Sequence, residues 1–197
     1  MLSPLLAVIA AAIILENGRP VLFRQTRLGK DGRPFQILKF RSMRSSMTGV
    51  RISASTDARI TRVGRLLRHY KLDELPQLWN VARGEMSLVG PRPELPDFVD
   101  LSVPIWRRVL SVKPGITDVT TLAYRNEQEL LAGVADPEKH YREVILPAKL
   151  ALNAQYIRKR SVLLDIRVLL LTALFSISPK TADARRALRL VSDECGI

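Results

Sequence analysis

The chain has 197 residues, and its 31 Lys and Arg against 19 Asp and Glu give a formal net charge of +12. This length allows one folded domain with an appendage, and a composition that is 47% hydrophobic and 25% charged excludes a disordered or collagen-like chain. The single cysteine, Cys195, excludes an internal disulfide framework and a cysteine-based zinc site, and the two isolated histidines, His69 and His140, argue against a histidine-ligated metal.

The first predicted element is an apolar helix over Leu2 to Leu15, which carries no charge and has Ser3 as its one polar side chain. A helix of this length reaches about 21 Å, short of a hydrocarbon core of about 30 Å, so we expect it to enter a membrane without spanning it. Pro4 is expected to kink or break any helix that precedes it. A signal peptide is disfavoured because the segment lacks a basic start and a small-residue cleavage site. A buried helix of a soluble protein is the alternative.

The net charge is concentrated in the segment from Arg19 to Lys71, which contains 14 basic and two acidic residues and carries the whole positive excess. Such a surface favours polyanionic partners: anionic lipid headgroups, phosphorylated small molecules or nucleic acid. A basic face that serves only solubility is the simpler alternative. The apolar segment directly before the basic one favours a membrane surface.

Within this basic segment the pattern predicts a β-hairpin followed by a helix. Val21 to Arg24 and Phe35 to Phe40 are β-prone and lie on either side of a turn-rich connection, Leu28 to Pro34. From Asp57 onwards, apolar residues recur with helical spacing. Another face of this predicted helix carries a stripe of arginines at every third position: Arg59, Arg62, Arg65 and Arg68. A solvated face explains this stripe as well as a binding face does.

Two adjacent carboxylates, Asp73 and Glu74, lie in the bend that we predict between this helix and a second one starting at Pro76. Leu75, directly before the proline, is expected to leave the helical region. In a bend, both carboxylates can converge on one ligand. From spacing alone, the simpler explanation is that they stabilise the start of the second helix.

A further signal is Arg92, which stands between Pro91 and Pro93 after a short β-prone run, so its backbone is restricted before any ligand binds. A rigid arginine near paired carboxylates favours a phosphate clamp with a nucleophile or a metal ligand. The sequence contains no glycine-rich phosphate loop of the Walker or dinucleotide type and no serine in a nucleophile-elbow context. Carboxylates together with arginines therefore favour phosphoryl transfer assisted by a hard divalent ion.

Three further helices are predicted in the second half of the chain: Glu127 to Ala132, Tyr141 to Arg160 and Val162 to Ile177. Asp165 and Arg167 interrupt the last of them and argue against a transmembrane helix. A helix in the membrane interface and a helix packed in the core both fit its pattern. The same choice is open for the two tryptophans, Trp79 and Trp106.

Six short motifs follow one another along nearly the whole chain. They are Ser3-Pro4 in an apolar helix, Gln25 to Gly29, Phe35 to Met43, Leu72 to Leu78, Ser87 to Pro93 and Lys113 to Thr117. In this order they resemble the motifs of the bacterial sugar transferases, the small monotopic phosphoglycosyl transferases that begin glycoconjugate assembly. Each motif alone is weak, but the ordered set makes chance similarity very improbable. The resemblance runs from Leu2 to about Leu174.

The resemblance implies an α+β fold, mostly helical with a small β-hairpin, in a membrane-associated (monotopic) catalytic domain with interfacial helices. Residues 1–18 would form a membrane-inserting apolar segment, either the second half of a re-entrant helix kinked at Ser3 and Pro4 or a shallow helix. Residues 19–178 would form the sugar transferase catalytic domain and residues 179–197 a C-terminal tail. Family members usually carry another apolar half-helix before the Ser-Pro pair, so we expect a truncated start or a single shallow insertion.

The activity implied by the resemblance is transfer of sugar 1-phosphate from a UDP-sugar to polyprenyl (undecaprenyl) phosphate, with release of UMP. This reaction initiates synthesis of an exopolysaccharide, O-antigen, capsule or glycoprotein at the cytoplasmic face of the bacterial inner membrane. In the family, the carboxylate matching Asp73 is the nucleophile, which forms an aspartyl phosphosugar intermediate in a ping-pong mechanism, and Mg2+ is bound at Asp73 and Glu74. Glu74 matches the partner carboxylate, whose implied catalytic role is to assist the metal or to activate the lipid phosphate. Four residues match basic positions around the substrate phosphates: Lys39, Arg41, Arg68 and Arg92.

One departure from the family pattern is Asp118, where many members have glycine after Pro-Gly-Ile-Thr, and we interpret it as variation within a subgroup.

A non-catalytic peripheral membrane protein and a nucleic-acid-binding protein are the alternatives to a sugar transferase. No nucleic acid is expected as a partner, since the basic segment has no helix-turn-helix or RNP-like signature. The expected partners are the UDP-sugar, polyprenyl phosphate and anionic lipids. The identity of the sugar and a homodimeric state stay open.

Overall fold

The structure, a computed structural model, describes residues 3–44 and 57–177. As predicted, this part is mixed α and β, mostly helical, with one small antiparallel hairpin. The predicted tail, residues 179–197, lies outside the described residues, and the predicted boundaries after residues 18 and 178 stay predictions. The helices are α1 (Ser3–Asn17), α2 (Arg62–His69), α3 (Gln77–Ala82), α4 (Pro104–Val109), α5 (Val119–Ala123), α6 (Glu127–Ala132), α7 (Pro137–His140), α8 (Leu146–Lys159) and α9 (Val162–Ile177). The strands are β1 (Leu22–Leu28), β2 (Pro34–Phe40), β3 (Ser87–Val89) and β4 (Gly115–Thr117).

Helix α1 begins at Ser3 and runs without interruption to its end. Pro4 lies in the first turn, where its missing N–H removes no helical hydrogen bond, so the predicted kink at Ser3 and Pro4 concerns the chain before the helix and stays a prediction. One face packs on the protein, because Ile9 and Ile13 are buried against β2 and α2, whereas Leu15 is 88% exposed. Among the helices in the described ranges, none has both the length and the apolar character needed to cross a membrane.

The predicted hairpin is confirmed, and its strands are longer than the sequence pattern indicates. β1 and β2 pair antiparallel along their whole length, and Leu28 lies opposite Pro34 at the closed end. The connection is therefore confined to residues 29–33, where Asp31 and Gly32 both have positive φ angles. Aspartate and glycine tolerate this left-handed conformation better than most residues, which is why so short a connection forms here.

Helix α2 is shorter than predicted, because it begins at Arg62 and not near Asp57. Asp57 instead forms its own turn, in which its carboxylate accepts hydrogen bonds from the backbone N–H and the side chain of Arg59. The helix start is fixed by Thr61, whose hydroxyl oxygen accepts a hydrogen bond from the N–H of Gly64 at 2.8 Å. The arginine stripe is therefore helical only from Arg62 onwards.

A second pair of strands, β3 and β4, is parallel and places the Pro-Arg-Pro segment. A Cβ on Gly115 would lie 2.2 Å from the backbone nitrogen of Gly90, so the close approach of these two backbone segments requires glycine. The N–H of Gly115 donates to the carbonyl oxygen of Pro91 at 3.0 Å. Residues 91–93 consequently lie beside the end of β4.

The predicted helix over Tyr141 to Arg160 is divided in two. The structure has one turn of π-helix over Tyr141–Ile145, and the regular helix α8 starts only at Leu146. Pro147 explains the division, because it has no N–H to donate to the carbonyl of the preceding turn. The predicted helix Glu127 to Ala132 is confirmed as α6.

Helix α9 spans its whole predicted segment and faces two environments. Leu164, Val168 and Phe175 are buried in a core that also contains Val89 of β3. The opposite face exposes apolar side chains: Val162, Leu163, Ile166, Leu170, Leu174 and Ile177. One face of α9 is thus a core face, and the other is an exposed apolar stripe.

The two tryptophans also differ in environment. Trp106 is buried in the core between α4 and α8, with 4% of its surface exposed. Trp79, on α3, is 61% exposed. The choice that the sequence leaves open therefore resolves to core packing for Trp106 and a surface position for Trp79.

Candidate active site

Asp73 and Glu74 lie in a single turn of 3-10 helix, Leu72–Glu74, between α2 and α3. The preceding Lys71 has a φ of 58°, a left-handed conformation that separates this turn from α2. Asp73 and Glu74 are both buried, with 7% of each residue exposed. Leu75 is helical, contrary to the prediction, because its N–H and its carbonyl oxygen are both hydrogen-bonded to neighbouring turns.

Glu74 is held by two cations from separate parts of the chain. Its Oε1 accepts hydrogen bonds from Lys39 Nζ at 3.1 Å and from Arg92 Nη2 at 2.6 Å. Burial alone would raise the pKa of Glu74, but the charges of Arg92 and Lys39 outweigh burial and hold the pKa well below its ordinary value. Glu74 is therefore ionised at neutral pH and keeps both cations at the dyad.

One carboxylate oxygen of Asp73 lacks a hydrogen-bond partner among the described residues. This oxygen, Oδ1, is buried. Burial and the charge of Glu74 raise the pKa of Asp73, while Lys39, Lys71 and Arg68 oppose this rise. A buried polar oxygen without a partner costs about 1–3 kcal/mol, so binding a ligand here would relieve an existing cost.

The Mg2+ that the resemblance implies fits Asp73 better than Glu74. Magnesium is usually bound by one or two carboxylates, with water and substrate phosphates completing its shell. Asp73 Oδ1 is available as such a ligand, whereas Glu74 Oε1 is occupied by Lys39 and Arg92. In residues 3–44 and 57–177, no group of three or more His, Cys, Asp or Glu is arranged to hold a metal ion. Donor phosphates would therefore supply part of the coordination.

Lys39 is placed by β2, which is fastened to α3 by the buried side chain of Asn80. The Oδ1 of Asn80 accepts a hydrogen bond from the N–H of Leu38 at 3.1 Å, and its Nδ2 donates to the carbonyl oxygen of Gln36 at 2.8 Å. Burial lowers the pKa of Lys39 to about 8, although the charge of Glu74 opposes this shift. We did not predict Asn80 from the sequence; its one signal is a polar residue shortly after the Leu72 to Leu78 motif.

Arg68, in the last turn of α2, interacts with Asp73 through its charge. Its Nε donates to Ser42 Oγ at 3.0 Å, and burial lowers its pKa while the charge of Asp73 opposes the shift. Helix α2 can approach so closely because of Gly64, where a Cβ would lie 2.0 Å from the Ser42 carbonyl oxygen. The rest of the stripe does not face the dyad: Arg59 pairs with Asp57, and Arg62 and Arg65 are exposed.

Arg41 has a different position from the predicted phosphate contact. Its guanidinium donates hydrogen bonds to the carbonyl oxygens of Asn17 at 2.7 Å and Arg19 at 3.1 Å, and also to that of Gly18. These carbonyls lie at the end of α1, where helix carbonyls lack partners within the helix. Arg41 therefore fastens α1 to the hairpin, and its contact with a substrate phosphate stays a prediction.

Arg92 extends from the Pro91–Pro93 segment that follows β3. Its side chain reaches Glu74, whose charge raises the pKa of Arg92. The structure thus brings together five of the predicted site residues, among which Arg68 acts on Asp73 through its charge: Asp73, Glu74, Lys39, Arg68 and Arg92. A buried carboxylate with an open oxygen, beside cations held on a second carboxylate, is suited to nucleophilic attack on a phosphate.

Comparison with known proteins decides the family. Residues 1–178 match the family described as bacterial sugar transferase. The chain belongs to the bacterial sugar transferase family. The resemblance predicted from the six motifs is thereby confirmed.

Relatives of this bacterial sugar transferase differ in the sugar that their names give. The UDP-glucose:undecaprenyl-phosphate glucose-1-phosphate transferase of Caulobacter vibrioides is 38% identical over 177 residues, which cover 87% of this chain and 62% of that protein. A galactosyl transferase of Streptococcus agalactiae is 35% identical over 185 residues, or 87% of this chain and 38% of its own. The UDP-N-acetylgalactosamine-undecaprenyl-phosphate N-acetylgalactosaminephosphotransferase of Aeromonas hydrophila is 45% identical over 122 residues, or 59% and 29%. The chain spans less than two thirds of each of these relatives.

Proposed function

We propose that this bacterial sugar transferase is a phosphoglycosyl transferase, which moves sugar 1-phosphate from a UDP-sugar to polyprenyl (undecaprenyl) phosphate and releases UMP. The observation that carries the proposal is the pair of buried carboxylates: Asp73 has an oxygen without a hydrogen-bond partner among the described residues, and the adjacent Glu74 holds two cations. Two relatives are named for transfer of a sugar phosphate to undecaprenyl phosphate, which supports the same reaction class. Since the relatives' names give different sugars, the proposal does not specify the sugar.

In the first step, a carboxylate oxygen of Asp73 attacks the sugar-bearing phosphorus of the donor. A bond forms between this oxygen and the phosphorus, the bond from the phosphorus to the bridging oxygen breaks, and UMP leaves with the electron pair. Repulsion between the carboxylate and the diphosphate opposes the approach, so cations must neutralise the phosphate oxygens. We assign this role to Lys39 and Arg92, which both contact Glu74, together with Arg68, whose charge acts on the nucleophile.

Glu74 keeps Lys39 and Arg92 in place before a phosphate arrives. Its Oε1 accepts from both cations, and a phosphate oxygen offers the same charge and the same kind of acceptor. The donor can therefore take over these contacts with little movement of the two side chains. Mg2+, held by Asp73 and the donor phosphates, would supply further positive charge to the oxygens on which charge accumulates.

In the second step, a phosphate oxygen of the polyprenyl phosphate attacks the same phosphorus. The bond from the phosphorus to Asp73 breaks, which restores the carboxylate and gives polyprenyl-diphosphate-sugar. Because UMP leaves before the acceptor attacks, the two polyanionic substrates need not occupy the site together. The kinetics expected for this scheme are ping-pong.

We place the enzyme at the cytoplasmic face of the bacterial inner membrane, where it would begin glycoconjugate synthesis. The exposed apolar side chains of α1 and α9 support this location, because they offer a surface that acyl chains can cover. The basic segment from Arg19 to Lys71 would contact anionic headgroups.

The test is release of UMP from a panel of UDP-sugars by the purified protein in nanodiscs, with polyprenyl phosphate and Mg2+. We expect release from at least one donor, loss of release in Asp73→Asn, and normal release in the control Asp100→Asn, which changes an exposed aspartate of a loop. Release by Asp73→Asn at the wild-type rate would contradict the role of Asp73. Salt-sensitive binding of nucleic acid, with no UMP from any donor, would support the nucleic-acid-binding alternative instead.

A further inference from the structure

The Pro91–Pro93 segment has one main-chain donor, the N–H of Arg92, because the two prolines have none. The neighbouring carbonyl groups are fixed: the oxygen of Pro91 accepts from Gly115 N–H at 3.0 Å, and that of Pro93 accepts from Arg27 Nη1 at 3.2 Å. The N–H of Arg92 requires a partner of its own, because it is the one main-chain donor of the segment.

That partner is the side chain of Asp118, which accepts a hydrogen bond from Arg92 N–H on its Oδ2 at 3.2 Å. Asp118 is fully buried, with none of its surface exposed. Its carboxylate also accepts from Thr120 Oγ1 and from the N–H of Thr121, both at 2.6 Å. The carboxylate is thus fixed at the start of α5 before it meets Arg92, so it is a rigid anchor for the segment.

We propose that Asp118 is a positioning residue for Arg92 in the phosphate-binding site. It holds the backbone from which the guanidinium reaches Glu74, so the cation is in place when the donor binds. This proposal rests on the proposed phosphoglycosyl transfer, since the activity that it affects is that reaction. It also gives a role to the residue at which the chain departs from the family pattern.

Positioning can be separated from capping by comparison with Asp136. Asp136 caps α7 in the same way as Asp118 caps α5, since it accepts a hydrogen bond from the N–H of Lys139 at 3.0 Å. Unlike Asp118, it lies on the surface. Asp118→Ala and Asp136→Ala therefore remove the same kind of cap. We expect only Asp118→Ala to lower kcat/KM for the donor, by tenfold to about a hundredfold, as a displaced catalytic group does. A loss of the same size in Asp136→Ala would overturn the proposal.

A double-mutant cycle with Arg92→Ala distinguishes a loss of activity that acts through Arg92 from one caused by a general structural defect. If Asp118 acts through Arg92, Asp118→Ala should cost little further activity once Arg92 is already alanine. Asp118→Asn, which keeps the shape and one acceptor oxygen, should recover part of the activity and serves as the working variant if the alanine protein does not fold. Equal losses for the Asp118 substitution in both backgrounds would overturn the proposal.

Hydrogen–deuterium exchange tests the same contact without any activity. The amide of Arg92 lies between two prolines, so electron-transfer fragmentation can assign its exchange without overlap from an adjacent amide. We expect protection of this amide in the wild type and at least tenfold faster exchange in Asp118→Ala, with no change in Asp136→Ala. Unaltered protection in Asp118→Ala would refute the positioning role. If the contact is found but no donor yields UMP, the proposed function fails while the anchoring of Arg92 stands.

Discussion

Gly64 provides a test of how α2 is placed, because substitution by alanine has opposite effects on the isolated helix and on the folded protein. Inside a helix, alanine is favoured over glycine by about 0.8–1.0 kcal/mol. In α2, however, a Cβ at this position would lie 2.0 Å from the carbonyl oxygen of Ser42 and 2.6 Å from its carbonyl carbon. Both atoms belong to the backbone, so no side-chain rotation relieves the clash, and α2 must shift.

The magnitude follows from these opposing effects. Overpacking costs about 1–3 kcal/mol, and a clash with backbone atoms belongs near the upper value. After the helix preference of about 1 kcal/mol is subtracted, the free energy of unfolding should fall by about 2 kcal/mol. For a chain of this size, 1 kcal/mol changes Tm by about 2–4 °C, so we expect Gly64→Ala to lower Tm by about 4–8 °C.

The assay is thermal unfolding in a fixed detergent, with UMP release measured on the same samples. Gly133→Ala is the matched control, because a Cβ at Gly133 would meet nothing within 4 Å. The control should keep its Tm within about 2 °C and keep its activity. Gly64→Ala should lose activity as well as stability, since α2 carries Arg68. A Tm for Gly64→Ala equal to or above that of the wild type would refute the close approach of α2 to Ser42.

Other substitutions test other parts of the structure. Arg41→Ala should lower the free energy of unfolding by about 1.5–3 kcal/mol, the value of a hydrogen bond from a charged group. The KM for the UDP-sugar should stay nearly unchanged. A normal Tm with a raised KM would support the phosphate role instead. Lys39 loses its charge as pH rises through its pKa of about 8, so kcat/KM for the donor should fall above that pH, and this alkaline limb should disappear in Lys39→Arg. An unchanged limb in Lys39→Arg would exclude Lys39 as its cause. Leu170→Glu, on the exposed face of α9, should weaken cosedimentation with anionic vesicles without lowering Tm. The control Ala151→Glu adds the same charge at an exposed position of α8 and should leave cosedimentation unchanged. Equal binding by both variants would count against α9 as a lipid contact.

Local elements were predictable where neighbouring residues decide them. The hairpin follows from β-prone runs on either side of glycines, and α6 follows from helical spacing. The predicted start of α2 was wrong. The helical spacing of apolar residues continues back to Ile60 and Asp57, but the carboxylate of Asp57 forms a turn with Arg59. Spacing alone does not register such a competing side-chain contact.

The partners of the charged residues were not predictable from the pattern. Lys39 and Arg41 stand two positions apart in one strand-end motif and look alike in sequence, yet Lys39 contacts Glu74, 35 residues away, and Arg41 contacts carbonyls 22 to 24 residues before it. The tertiary fold decides these contacts, because both sets of partners are distant in sequence from Lys39 and Arg41. Asp118 shows the same limit, since its hydrogen bond to Arg92 joins segments 26 residues apart.

The most direct measurement is intact-mass analysis of the protein after incubation with a UDP-sugar and Mg2+ and without any lipid acceptor, using a donor from which the panel assay gives UMP. If Asp73 is the nucleophile, UMP appears in amounts stoichiometric with the enzyme, and the protein gains the mass of the sugar phosphate. Peptide mapping should place the added mass on Asp73, and Asp73→Asn should show neither UMP nor adduct. Unmodified enzyme that releases UMP only after polyprenyl phosphate is added would contradict the covalent mechanism.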